Sequence, residues 1–74
     1  MVGGTVIGFI RNPNGLTRIN VQGTGCETHD TRVVEVRDEK HEVEIGDSIW
    51  WQCRRAFVLN SLKETVEIPM IWNS

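Results

Sequence analysis

The sequence predicts an all-β fold: a small antiparallel barrel or sandwich, SH3-like or OB-like, with about seven short strands. Three observations carry this. Nine Val, seven Ile and six Thr make 22 of the 74 residues β-branched, against one Ala and three Leu. Such side chains are stiff at χ1 and suit a pleated, half-buried surface. No window of ten or more residues spaces its apolar positions at a helical period. Short alternating or apolar segments recur with turn signals between them, the pattern of a small antiparallel barrel or sandwich.

The first strand is Thr5 to Arg11. Asn12-Pro13-Asn14-Gly15 ends it, because Pro13 presets φ for a turn and Asn14 and Gly15 tolerate positive φ. Leu16 to Gln22 then alternates, with Thr17, Ile19 and Val21 on one side and Leu16, Arg18 and Asn20 on the other. The two segments read as a β-hairpin. Residues 23–30, Gly-Thr-Gly-Cys-Glu-Thr-His-Asp, are the longest polar stretch and read as a loop. A strand resumes over Thr31 to Arg37 with Val34 and Val36 inward. Asp38-Glu39-Lys40 is a charged turn. His41 to Ile45 alternates and reads as a further strand, with Val43 and Ile45 inward.

After a Gly46-Asp47 turn comes an aromatic strand, Ser48 to Gln52, then a tight Cys53-Arg54-Arg55 turn and a returning strand, Ala56 to Asn60. Ser61 to Thr65 is a polar link. Val66 to Trp72 is the last strand, with Pro69 confining it to an edge or a bulge.

A chain of 74 residues and 8.4 kDa is expected to be one small domain spanning 1–74. At 39% apolar residues its core is lean, so burying Trp50 or Trp72 between subunits would help it. No apolar run approaches the roughly 18 residues of a membrane span, so no membrane partner is expected. Met1-Val2-Gly3-Gly4-Thr5 shows neither the basic nor the long apolar region of a secretory signal. The expected location is the cytoplasm, with Cys26 and Cys53 as reduced thiols. Net charge is −2 but uneven: +2 over residues 1–26, −5 over 27–47 and +1 over 48–74. That distribution implies either the solvent faces of strands or a polarised surface suited to pairing between subunits.

Few residues invite chemistry. Trp50 and Trp51 are adjacent, so on a strand they point to opposite faces. With Ile49, Trp51 and Cys53 inward, Trp50 and Gln52 face outward, and the next strand brings Val58 near Trp50. An outward Trp beside Arg54 and Arg55 fits a protein-interface hot spot, and also a base-stacking platform with phosphate partners. Cys26 and His29 have C-x2-H spacing, but the remaining candidate ligands, Asp30, His41 and Cys53, are isolated, so no metal is expected. Thr28-His29-Asp30-Thr31 suggests a base beside an acid. Neighbours on an extended chain point apart, however, so Asp30 is poorly placed to orient His29. Gly23-Thr24-Gly25 lacks the third glycine and the helix of a dinucleotide site, so no cofactor is expected.

Gly46-Asp47-Ser48-Ile49-Trp50-Trp51-Gln52, with Asn12 to Val21 and Thr28-His29-Asp30, resembles short uncharacterised proteins of bacteriophages and prophages. The resemblance spans most of the chain. It implies a viral or mobile-element origin, hence a host-cell cytoplasm, and no activity. It also implies glycine at the turn after Trp-Trp-Gln, where this chain has Cys53-Arg54.

The function expected from these residues is a non-enzymatic binding or assembly module. Trp50, Arg54 and Arg55 would contact a protein partner or a second copy, framed by Thr28, His29 and Asp30. Single-stranded nucleic acid is the second expectation, and a metal or hydrolytic site in the 23–30 loop the third.

Overall fold

The structure, a computed structural model, describes residues 2–23 and 31–73. Over these residues the chain is all-β, with six strands: β1 (Val2–Arg11), β2 (Thr17–Gly23), β3 (Thr31–Val36), β4 (Ser48–Gln52), β5 (Arg55–Leu59) and β6 (Thr65–Asn73). All neighbours are antiparallel and lie in one sheet, in the order β1-β2-β3-β6-β5-β4. β4 pairs back onto β1, so the sheet closes on itself as a barrel. Two three-stranded meanders, β1-β2-β3 and β4-β5-β6, are thus joined edge to edge, and closure leaves neither with a free rim.

The core is the inward face of each strand: Val6, Ile19, Val21, Val34, Val36, Ile49, Trp51, Ala56, Val58, Ile68 and Met70, with Val43 from a loop. Nearly all are β-branched or small. Such side chains have few rotamers to lose, which suits a core this thin. β2 buries Thr17, Ile19 and Val21 and exposes Arg18 and Asn20, as its alternation requires.

Two bulges break the alternation elsewhere. In β1, Val6 pairs with Val21 and Gly8 with Asn20, so Ile7 is an extra residue. In β6, Met70 pairs with Val36 and Trp72 with Glu35, so Ile71 is extra. Each bulge bends its strand, which a barrel of so few strands needs in order to close. Each also reverses which face the following residues occupy. Pro69 lies two residues before the second bulge, where its carbonyl accepts the Arg37 amide at 3.0 Å.

Residues 41–45 are not a strand, so the described residues hold six strands rather than about seven. Val43 is buried as expected, but Ile45 is 69% exposed and His41 takes a left-handed φ of 54°. The cause is a pair of buried carboxylates. Asp38 accepts the amides of Glu42 (2.9 Å) and Val43 (3.0 Å), and Asp47 accepts that of Glu44 (3.0 Å). Those three donors are unavailable to a ladder, so the segment folds onto its own side chains. Arg11 joins Asp38 at 3.2 Å and the Val43 carbonyl at 3.1 Å, with its guanidinium carbon 4.5 Å from the centre of the Phe9 ring. The 37–47 loop is thereby tied to the end of β1.

Candidate functional site

The β4–β5 hairpin turns on two residues, Cys53 and Arg54, with φ of 53° and 65°. Gln52 and Arg55 pair across it. This is the twist that a two-residue hairpin loop demands, and it explains why glycine would be expected there. Two L-residues hold it at a cost of about 1 kcal/mol each. The turn carries Cys53 outward: its thiol is free and exposed, not inward beside Trp51.

Trp51 is core, 3% exposed, and Trp50 faces outward. The cross-strand neighbour of Trp50 is Phe57, not Val58, which is buried opposite Ile49. The two outer rings are stacked, centroids 6.0 Å apart and 20° from coplanar. On its other side Trp50 lies against Gly3 of β1, where a Cβ would come within 2.7 Å of the Trp50 Cβ. Trp50 is therefore half-buried, packed between a ring and bare backbone.

The two arginines part company. Arg55 turns back over the sheet, with its guanidinium carbon 5.5 Å from the Phe57 ring centre, and grips Glu67 with two hydrogen bonds of 2.8 and 3.2 Å. The hydrogen bond from Arg55 holds the Glu67 carboxyl below the usual carboxylate range, and the same bond raises Arg55. A carboxyl lowered on folding adds stability above its unfolded pKa, and that stability is lost as pH falls through the folded pKa. Glu67→Gln is expected to flatten this acid-side dependence of the melting temperature. It should leave the neutral-pH value nearly unchanged, because an exposed ion pair is screened and contributes little. A large drop at neutral pH would show that the pair holds the sheet together.

Arg54 points away from this cluster. Its carbonyl accepts the Met70 amide at 3.3 Å, and its guanidinium has no ion-pair partner among the described residues. It rims a groove of about 180 Å³ lined by Trp51, Cys53, Arg54, Met70, Ile71 and Trp72. Two of these are conspicuously wet for their chemistry: Trp72 is 50% and Ile71 46% exposed. Trp72 is the site residue that strand alternation misses. Ile68 and Met70 are buried, so a period of two would send Trp72 inward, and the bulge at Ile71 turns it out instead.

Of the residues expected at the site, then, Trp50 and Arg55 share one outer cluster and Arg54 belongs to a separate groove. Thr28, His29 and Asp30, with Cys26, lie outside the described residues. His41 is exposed in the 37–47 loop, and no group of three or more His, Cys, Asp or Glu is placed to hold a metal among the described residues. No family model matches the chain, nor does any curated protein or solved structure.

Proposed function

We propose that this chain is a non-enzymatic contact module, an SH3-like or OB-like barrel that binds protein through the groove edged by Trp72, Ile71 and Arg54. The observation that carries this reading is the half-exposed indole of Trp72, beside an exposed Ile71 and an arginine with no ion-pair partner among the described residues. Trp and Arg together are the residue types most enriched where binding energy concentrates in protein interfaces. An isolated domain gains nothing in stability from leaving an indole in water.

Single-stranded nucleic acid is the weaker reading. The outer Trp50–Phe57 pair has the ring faces that bases stack on, but its arginine is committed to Glu67, whose charge repels phosphate. We further propose a viral or mobile-element origin and action in a host cytoplasm, on the resemblance of the Gly46–Gln52 segment to short bacteriophage proteins.

The test pairs a stability measurement with a titration. Trp72→Ser is expected to cost under about 1 kcal/mol in urea unfolding, as surface changes do. Single-stranded oligonucleotides at low salt are expected to leave tryptophan emission unchanged. Loss of more than about 2 kcal/mol would assign Trp72 to the fold. Salt-sensitive quenching by oligonucleotide would transfer the reading to nucleic acid.

A further inference from the structure

We infer that the occupant of the Trp72 groove is a second copy of this chain, docked head to tail through the aliphatic turn tips at the opposite end of the barrel. The inference rests on the contact-module reading and names its partner.

The groove lies at the end of the barrel where β4 finishes and β5 begins. At the other end, where β4 begins, two turns each hold a large aliphatic side chain in solvent: Ile45, 69% exposed, and Leu62, 75% exposed. Neither is a floppy accident. Glu44 to Asp47 is a β-turn in which the Asp47 amide donates to the Glu44 carbonyl (3.2 Å) and the Gly46 amide to Val6 (2.8 Å). Gly46, at φ 96°, supplies the left-handed third position that a type II turn requires, which leaves Ile45 at the corner. Asn60 fixes the second turn by accepting the amides of Leu62 and Glu64, both at 3.0 Å. Both tips are therefore preorganised, which lowers the entropy lost on docking.

The charges match as well. Glu44 adjoins Ile45, and Lys63 and Glu64 follow Leu62; none of the three has an ion-pair partner among the described residues. The groove offers apolar walls from Met70, Ile71 and Trp72, with Arg54 at its rim. The acid beside the Ile45 tip and the arginine at the groove rim are complementary in sign. They cannot meet within one molecule, because the five residues of β4 hold them roughly 16 Å apart. A contact between unlike patches at opposite ends leaves a free knob and a free groove on every pair, so it propagates into a ring or a filament.

The experiment is mass by light scattering across a concentration series, at low and high salt and under reducing conditions that exclude crosslinking through Cys53. The native chain is expected to grow past a dimer with concentration and to shrink with salt. Arg54→Glu and Glu44→Arg are each expected to weaken association at least tenfold. The double variant, with the two charges exchanged, should recover most of it, while all three keep the native melting temperature. Association that ignores both reversals but is lost in Trp72→Ser overturns the head-to-tail contact and leaves the contact-module reading standing. Association indifferent to all of these changes overturns both. A native chain that stays monomeric at every concentration, or a double variant no better than either single one, overturns the inference.

Discussion

Asp38→Ala is expected to destabilise the chain by about 3–5 kcal/mol, the cost of removing one partner from a buried charged network. Asp38 is 4% exposed and does three jobs with two oxygens. Oδ1 accepts the Glu42 amide, and Oδ2 accepts both the Val43 amide and an Arg11 guanidinium nitrogen. Alanine removes the acceptor of the Glu42 and Val43 amides and one of the two acceptors of the Arg11 guanidinium, and the Val43 bond is buried. Each buried donor left unpaired costs roughly 1–3 kcal/mol. Arg11 is already short of partners, since its Nε is buried and unbonded.

The loss would spread beyond the polar groups. Val43, fully buried, is held in the core in part by the conformation that Asp38 imposes on residues 42 and 43. Asp38→Asn should be intermediate, because one oxygen remains while the amide nitrogen meets donors. Arg11→Met should cost less than Asp38→Ala, and the double variant less than the sum, since the two residues share one network. Native stability is about 4–11 kcal/mol for a domain of this size, so Asp38→Ala takes a large share of it. Urea unfolding followed by tryptophan emission measures it, and a cost below about 1 kcal/mol would mean that the loop folds without its carboxylate.

The same segment shows why the sequence misleads where it does. His41-Glu42-Val43-Glu44-Ile45 has the alternation of a strand, and Val43 does go inward. What period-two reasoning omits is competition for amides from side chains outside the window, here Asp38 and Asp47. In β2 every ladder partner is kept and the alternation survives intact into the barrel. The bulges at Ile7 and Ile71 are a second kind of omission. Barrel closure sets their positions, and closure depends on the register of strands far apart in sequence. One of them decides that Trp72 and not Trp50 is the more exposed indole, so the site moved with it. Arg54 and Arg55, adjacent in sequence, were separated because the hairpin turn falls between Cys53 and Arg54 and returns Arg55 to the sheet opposite Pro69 and Glu67.

Gly4→Ala is expected to be the most damaging of the alanine substitutions at Gly3, Gly4 and Gly8 of β1. Gly4 is buried between β2 and β4, paired with Gly23 on one side and Ile49 on the other. A Cβ there would lie 2.0 Å from the Gln22 carbonyl oxygen, 2.7 Å from its carbonyl carbon and 2.9 Å from a Val21 methyl. Two of these three atoms are backbone, so no rotamer change relieves the overlap. Relief requires β1 to separate from β2, and that seam closes the first meander. Overpacking a core by one methylene costs roughly 1–3 kcal/mol, and a backbone collision belongs at or above the top of that range.

Two neighbouring glycines calibrate the result. At Gly3 the nearest atoms are the Ile49 carbonyl oxygen at 2.6 Å and the Trp50 Cβ at 2.7 Å, so Gly3→Ala should also destabilise, by less, while shifting the Trp50 emission as the indole is displaced. At Gly8 the nearest atom is the Asn20 side-chain nitrogen at 3.8 Å, ordinary contact distance. Gly8→Ala should therefore be neutral or stabilising by up to about 1 kcal/mol, because alanine has less unfolded-state freedom to lose. The ordering Gly4 worst, Gly3 intermediate and Gly8 harmless follows from backbone approach alone, since all three residues sit on one strand and gain the same methyl group. Equal costs at Gly4 and Gly8 in thermal melts would mean that β1 does not run as close to β2 at Gly4 as this pairing requires, and the β1–β2 register there would have to be drawn differently.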